Sequence, residues 1–293
     1  MRIGVFHYRE KLAWPGLQLI KAIRNRNLTP VTLRIQQVAA LVNSKSSLMI
    51  SGNDLASLDA AIVRTIGRGT LDRITFRISA LEHLEKIGVK VINSAYTYRR
   101  AKDKYASLFY LQKAGIPIPK TVITERLGEA IHAVEEIGEV VIKPLIGARG
   151  LGSIKTDNPD LAFRALKTIH RLGLVLYVQE YVPKPDRDIR AFVVGNEVIG
   201  AMYRTAPSNG WKTNISVGAK PTKCDLNEEL KELAIKSTEA LGLEYTGVDI
   251  VEGANGPVVL ELNAAPSWRG LLEATGVNAA DHIVDYLAGS MNR

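Results

Sequence analysis

Cysteine is almost missing from this chain: Cys224 stands alone among 293 residues. No disulfide framework can form within it, so nothing argues for an oxidising compartment. The five histidines, His7, His83, His132, His170 and His282, are scattered without ligand spacing, which excludes an ordinary zinc site. Every apolar run is too short to cross a bilayer, and residues 1–6 read as a strand without a charged leader or a cleavage site. The expected location is therefore the cytoplasm, with no membrane partner. Internal repeats and low-complexity linkers are lacking. Aromatic residues make up only 6%, and no long Lys/Arg run is interleaved with them, so nucleic acid is a poor fit as a partner.

What is present suits a globular protein of two or three lobes. Hydrophobic residues reach 46%, enough for a sizeable core. Lys and Arg number 38 against 30 Asp and Glu, a formal charge of +8. Spread along the chain, that excess suits polyanionic small molecules such as ATP and acidic acceptors.

Residues 2–8, 30–35, 59–66 and 89–93 read as strands, alternating with helical periodicity from Pro15 and over residues 74–87. Alternation of this kind predicts a small parallel sheet with helices on both faces, over residues 1–94. A second lobe is expected over 95–175 and a third over 176–293. In the third, Gly195-Asn196 and Gly253-Ala254-Asn255-Gly256 mark hairpin turns and an antiparallel sheet. The fold class is thus α/β (α+β).

The second of these hairpins carries the chemistry. Symmetry about residue 255 sets Asp249 opposite Glu261, with Asn263 on the same face opposite Gly247, where there is room for a ligand. Val248, Ile250, Leu260 and Leu262 fall on the other, apolar face. Two desolvated carboxylates side by side are costly, but around a divalent cation they and the amide oxygen make a hard-oxygen site. Lys143 ends the apolar run Val140-Val141-Ile142 and needs an anionic partner. Four residues later begins Gly147-Ala148-Arg149-Gly150-Leu151-Gly152, which can bring backbone N–H groups to phosphate oxygens. Its spacing matches neither the Walker A loop nor the Rossmann fingerprint.

In this order and at these spacings, Lys102-Asp103-Lys104, Val141-Ile142-Lys143-Pro144, the glycine loop, Val178-Gln179-Glu180-Tyr181-Val182, Asp188-Ile189-Arg190 and Asp249 with Glu261-Leu262-Asn263 resemble the ATP-grasp superfamily. The resemblance is to its RimK-type α-glutamate ligases and LysX-type amino-group ligases. It extends over residues 95–290, and the first lobe looks like the accompanying pre-ATP-grasp domain. It implies that Lys104 and Lys143, with Gly147, Gly150 and Gly152, hold ATP phosphates. The backbone of Gln179, Glu180, Tyr181 and Val182 would read adenine, with Glu180 and Val182 in direct contact, and Asp188 would approach the ribose or triphosphate. Asp249, Glu261 and Asn263 would bind Mg²⁺ (or Mn²⁺). Arg190, Arg204, Lys212 and Asn214 would hold the transferred phosphate and the acceptor carboxylate.

The reaction so implied is ATP-dependent ligation of an amino acid, L-glutamate, to an acidic small-molecule or peptide acceptor through an acyl-phosphate. The acceptor is expected to be a glutamyl cofactor tail greeted by Arg64, Arg68 and Arg73 of the first lobe, and the assembly a homodimer or homotetramer. Rival readings are an amino-group ligase acting on a carrier or ribosomal protein, and a basic RNA- or ribosome-binding protein without chemistry.

Overall fold

The structure is a computed structural model and describes residues 1–44, 47–146, 152–208 and 210–291. Strand β1 (Arg2–His7) leads through helix α1 (Trp14–Asn25) to β2 (Thr29–Arg34). A small antiparallel sheet of β3 (Val38–Ala40), β4 (Leu48–Ile50) and β5 (Asn53–Asp54) precedes β6 (Ala60–Val63), α2 (Leu71–Lys86) and β7 (Lys90–Ile92). The main sheet of this lobe is parallel throughout, in the order β2-β1-β6-β7. The inner strands β1 and β6 are buried on both faces, which explains why they read as continuous apolar runs, whereas the edge strand β2 is largely exposed or half-buried.

Two helices follow where a single helical stretch was expected, α3 (Ala95–Lys102) and α4 (Lys104–Lys113). The break is chemical: the Asp103 carboxylate accepts from the Tyr105 and Ala106 N–H groups and caps α4, which makes Lys104 its first residue.

The middle lobe contains β8 (Thr121–Thr124), α5 (Leu127–Ile137), β9 (Val140–Ile142), β10 (Ile154–Thr156), α6 (Pro159–Arg171) and β11 (Leu176–Glu180). Its antiparallel sheet runs β10-β9-β11-β8 and has a core of its own, in which Val140, Ile142, Leu176 and Val178 meet Ala130, Val134 and Leu166.

The last lobe is a five-stranded antiparallel sheet, β14-β13-β12-β15-β16. It is formed by β12 (Arg187–Val194), β13 (Glu197–Thr205), β14 (Lys220–Lys223), β15 (Tyr245–Gly253) and β16 (Gly256–Asn263), with α7 (Glu228–Leu241), α8 (Arg269–Thr275) and α9 (Ala279–Met291). Both expected hairpins are present, the first turning through Gly195 in the left-handed region (φ 58°).

The packing divides the chain differently from the expected limits at 94 and 175. Strand β11, residues 176–180, pairs with β8 and β9 and so belongs to the middle lobe. Tyr98, Leu111 and Ile116 lie in one core with Leu33 and Leu81 of the first lobe and Ile189, Val248 and Ile250 of the last, so residues 95–118 belong to the main body. A second core joins Ile3, Leu19 and Ile23 to Phe192, Trp268 and Ile283. First and last lobes are thus one packed body, and the middle lobe overhangs it.

Asn93, fully buried, pins that body together. Its amide donates to the carbonyls of Tyr245 (2.8 Å) and Ala264 (2.7 Å) and accepts from the N–H groups of Glu244 (2.7 Å) and Tyr245 (3.1 Å). Asn93→Leu keeps the volume but strands four backbone groups of the last lobe. Unfolding in urea should report a loss of about 3–5 kcal/mol; a loss under about 1 kcal/mol would show that the pin is dispensable.

Candidate active site

An open cleft of about 900 Å³, its solvent-filled mouth included, lies between the middle and last sheets. Among the described residues, five cationic side chains (Lys104, Lys143, Lys184, Arg204 and Lys212) face it together with four acidic ones (Glu180, Asp188, Asp249 and Glu261). Val141, Val182, Val251, Leu260, Tyr181 and Trp211 supply apolar surface, the last two rings meeting edge to face with centroids 6.3 Å apart.

Of the residues singled out from the sequence, Lys104, Lys143, Gln179, Glu180, Tyr181, Val182, Asp188, Arg204, Lys212, Asn214, Asp249 and Glu261 line this cleft. Arg190 and Asn263 stand one contact behind it, on Asp249 and Glu261. Gly152 packs beside Pro144, while Gly147 and Gly150 lie outside the described residues.

The last sheet sets the acidic residues. Asp249 pairs with Glu261 and Gly247 with Asn263, the register that hairpin symmetry predicts. A bulge then intervenes, and Ile250 pairs with Val259 instead of Leu260. The extra residue reverses the alternation, so Val259 enters the core and Leu260 turns to the cleft, contrary to the sequence-based expectation. The space over Gly247 is also not open to a ligand, since a Cβ there would lie 2.8 Å from Arg190 Cδ and 3.1 Å from Pro266 Cβ.

Asp249, 3% exposed, is clasped by two guanidinium groups. Arg190, its neighbour across β12 and β15, grips both carboxylate oxygens, with Nη2 2.7 Å from Oδ2, and Arg204 Nη2 lies 3.1 Å from the same oxygen. Arg204 also forks onto Asp188 with two bonds of 2.7 Å. Burial by itself would raise the Asp249 carboxyl, but Arg190 and Arg204 reverse this and hold it below the usual carboxylate range. Burial likewise opposes the charge on Arg204, and Asp249 and Asp188 more than restore it. The Asp188 carboxylate lines the cleft and meets Arg204, the Thr213 hydroxyl and, at 3.9 Å, Lys184.

The middle lobe and α4 set the lysines. Lys104 Nζ donates to the Pro144 and Leu145 carbonyls at 2.9 Å each, which ties the first turn of α4 to the chain entering the glycine loop. Lys143, half-buried, donates from Nζ to Gln179 Oε1 at 2.5 Å. Burial is the main force lowering the Lys143 ammonium, to about 8, with Glu261 opposing the shift. Burial lowers Lys104 and Lys184 as well. At the hinge, the Glu180 and Tyr181 N–H groups already donate to Lys120 and Glu139 carbonyls, whereas the Val182 N–H has no hydrogen-bond partner among the described residues. Of the two expected adenine contacts, only Val182 therefore keeps its backbone donor available.

Lys184, Thr213 and Ser153 line the cleft without having been singled out from the sequence. Lys184 stands in Pro183-Lys184-Pro185, which looks like an exposed loop; only folding brings its Nζ within 3.2 Å of Thr213 Oγ1. Conversely, Arg64 does not greet a ligand. It is buried, donates to the Pro266 carbonyl at 2.6 Å and lies over the Trp268 ring, as a strut between lobes, whereas Arg68 and Arg73 are exposed.

The donor set fits a magnesium-type ion. Among the described residues no cluster of three or more His, Cys, Asp or Glu forms a cation cage, yet Mg²⁺ characteristically takes one or two carboxylates and fills its shell with phosphate and water. Asn263 Nδ2 donates to Glu261 Oε1 at 3.3 Å, leaving the amide oxygen as an acceptor. Guanidinium groups occupy three of the roughly four lone-pair positions of Asp249.

Two antiparallel sheets closing on a cleft of lysines, paired carboxylates and an apolar slot define the class: this is an ATP-grasp ligase. Residues 101–287 match the RimK-like ATP-grasp domain, and the chain belongs to that family. It is 35% identical to the tetrahydromethanopterin:alpha-L-glutamate ligase of Methanosarcina acetivorans, covering 94% of this chain and 95% of the relative. It is 34% identical to the enzyme of the same name from Methanococcus maripaludis, covering 97% of each. Among solved structures it resembles the RimK domain ATP-grasp protein of Sphaerobacter thermophilus (TM-score 0.76, 26% identity, 98% of this chain and 99% of that one). The fold is shared with the ATP-grasp ligase PsnB complexed with minimal precursor, Mg and ADP (TM-score 0.76, 23% identity, 99% and 98% covered). Ligases of this class use ATP and a divalent cation. No described helix is long and apolar enough to cross a membrane.

The lowered Lys143 ammonium has a consequence for pH. Phosphate binding needs the charged form, so nucleotide affinity should hold steady up to pH about 8 and then fall, at most tenfold per pH unit. Calorimetric titration with ADP across pH 7–10 measures it, and affinity unchanged to pH 10 would show that Lys143 keeps its proton or does not meet phosphate. Without nucleotide the sign for stability is opposite. Below about 8 both folded and unfolded chains hold the proton and the burial penalty is full; it fades as pH rises from about 8 toward 10.5.

Proposed function

We propose that this chain joins the amine of L-glutamate to a carboxylate of a small acidic acceptor, with Mg²⁺ as its cation and tetrahydromethanopterin as the acceptor to be tested first. The observation that carries the reading is the convergence of Lys104 and Lys143 with the carboxylates of Asp249 and Glu261 in one cleft, in a chain about 35% identical over nearly its whole length to enzymes named for that reaction.

The chemistry follows from where the charges lie. Val182 and the apolar side chains around it take the adenine, and Lys104 and Lys143 grip the phosphates. Asp249, Glu261 and Asn263 hold Mg²⁺, which when bound neutralises the phosphate oxygens. An acceptor carboxylate oxygen attacks the γ-phosphorus and the bond to the β-phosphate oxygen breaks, giving ADP and an acyl-phosphate. Arg204, with Lys212 and Asn214, stabilises the charge spread over the phosphoryl group and holds the acceptor carboxylate, while Arg190 acts from behind them through Asp249. The neutral amine of glutamate then attacks the acyl carbon, phosphate leaves, and the amine gives up a proton. Asp188 fixes the Arg204 fork, so that little reorganisation accompanies the charge movement.

Purified protein with Mg·ATP, L-glutamate and tetrahydromethanopterin should release ADP and yield a product heavier by one glutamyl residue in mass spectrometry. Product that forms only with a carrier or ribosomal protein would move the acceptor to a macromolecule. No amino-acid-dependent ADP release with any acidic acceptor would end the ligase assignment of this cleft.

Lys143→Ala and Glu261→Ala should each reduce glutamate-dependent ADP release by at least about a hundredfold while far-UV circular dichroism stays that of the parent. Full turnover in either variant would remove that residue from the site.

A further inference from the structure

We infer that the Gln179 side chain is the positioning residue for the phosphate-binding Lys143, acting through a directed chain of hydrogen bonds that ends on a backbone carbonyl. The inference rests on the reading of Lys143 given above and differs from the adenine role expected of the Gln179 backbone.

The register places the parts. Thr121 of β8 is the cross-strand partner of Gln179 on β11, and Val141 of β9 is its partner on the other side. Lys143 N–H donates to the Tyr177 carbonyl, which sets Lys143 beside Tyr177 and diagonal to Gln179, a separation that long side chains bridge. Val178 and Leu176 point the opposite way, into the middle-lobe core.

The direction of each bond follows from the ends. Thr121 Oγ1 donates to the Pro119 carbonyl at 2.9 Å, so its one proton is spent and it accepts from Gln179 Nε2, also at 2.9 Å. The second amide proton goes to the Tyr177 hydroxyl at 3.0 Å. With both protons committed, the amide cannot be flipped without loss, and Oε1 is left facing Lys143 Nζ at 2.5 Å. Gln179 is 1% exposed, so no water competes for that oxygen. A neutral acceptor is the right chemistry there. It holds one of the three ammonium protons, leaves two for phosphate, and does not cancel the charge that phosphate must meet, as a carboxylate would. Burial drives the Lys143 ammonium toward the neutral amine and Glu261 opposes this, while the Gln179 amide oxygen takes a hydrogen bond from the ammonium directly.

The test is calorimetric binding of ADP to Gln179→Met, Gln179→Glu, Thr121→Val and Lys143→Met, each measured from pH 6.5 to 9.5. Gln179→Met should weaken ADP roughly tenfold or more, the worth of a hydrogen bond to a charged group, and move the alkaline fall in affinity to lower pH. Gln179→Glu should weaken ADP while moving that fall to higher pH, because a carboxylate stabilises the ammonium but offsets its charge. Thr121→Val, which keeps the Lys143 contact and removes the next link, should act in the same direction as Gln179→Met but less. It also decides the matter if Gln179→Met does not fold. A purely structural role would lower the melting temperature of Gln179→Met without moving the pH profile. Affinity within twofold of the parent and an unmoved profile in both Gln179→Met and Thr121→Val would overturn the inference. If Lys143→Met also binds ADP like the parent, the phosphate reading of Lys143 fails as well; if Lys143→Met alone loses binding, only the Gln179 role falls.

Discussion

A buried carboxylate held between two guanidinium groups organises this enzyme. Asp249 lies on the third strand of a run, β13-β12-β15, that carries Arg204, Asp188 with Arg190, and Asp249 at neighbouring positions. Four charges taken out of water are tolerated because each meets opposite charge in near-bidentate geometry. The arrangement contributes little certain stability, since ion pairs of this kind often do no better than apolar packing. What it supplies is placement. Two arginines whose forks are locked before substrate arrives need little rearrangement when negative charge moves through the cleft.

The rest of the cleft is built around that fixed wall. Glu261 faces Asp249 across the hairpin, and Asn263 follows on the same side. On the opposing wall Lys143 comes from the middle sheet, while Lys104 comes from the first turn of a helix that packs with the main body yet reaches the carbonyls of Pro144 and Leu145. Lys104 thereby links the two bodies at the point where the glycine loop begins. The middle lobe keeps a core separate from the one behind the Asp249 wall.

The first lobe acts at one remove. Asn93 and Arg64 hold the backbone of residues 244–245 and 264–266, the segments that flank Gly247 and Asn263. Its arginine at position 64 looks from the sequence like a ligand for an anion, and structurally it is a strut, because carbonyls and the Trp268 ring take all the guanidinium has to offer. An isolated basic residue carries no mark of which fate awaits it.

Much of this was legible in the sequence wherever a local rule governs. The alternation of apolar residues with hairpin turns set the parallel first lobe, the antiparallel last lobe and the pairing of Asp249 with Glu261, because strand period and turn geometry depend on near neighbours only. The lysine closing an apolar strand before a glycine loop announced a polyanion for the same reason. What tertiary structure alone decided depends on residues far apart in the chain. The recruitment of Lys184 and Thr213, the enclosure of Asp188 and the turning of the Gln179 amide toward Lys143 come from groups that packing brings together, Thr213 from 25 positions beyond Asp188 and Thr121 from 58 before Gln179. No pattern in a linear sequence records which buried polar groups will satisfy one another, since that is settled only when desolvation forces each donor to find an acceptor within reach.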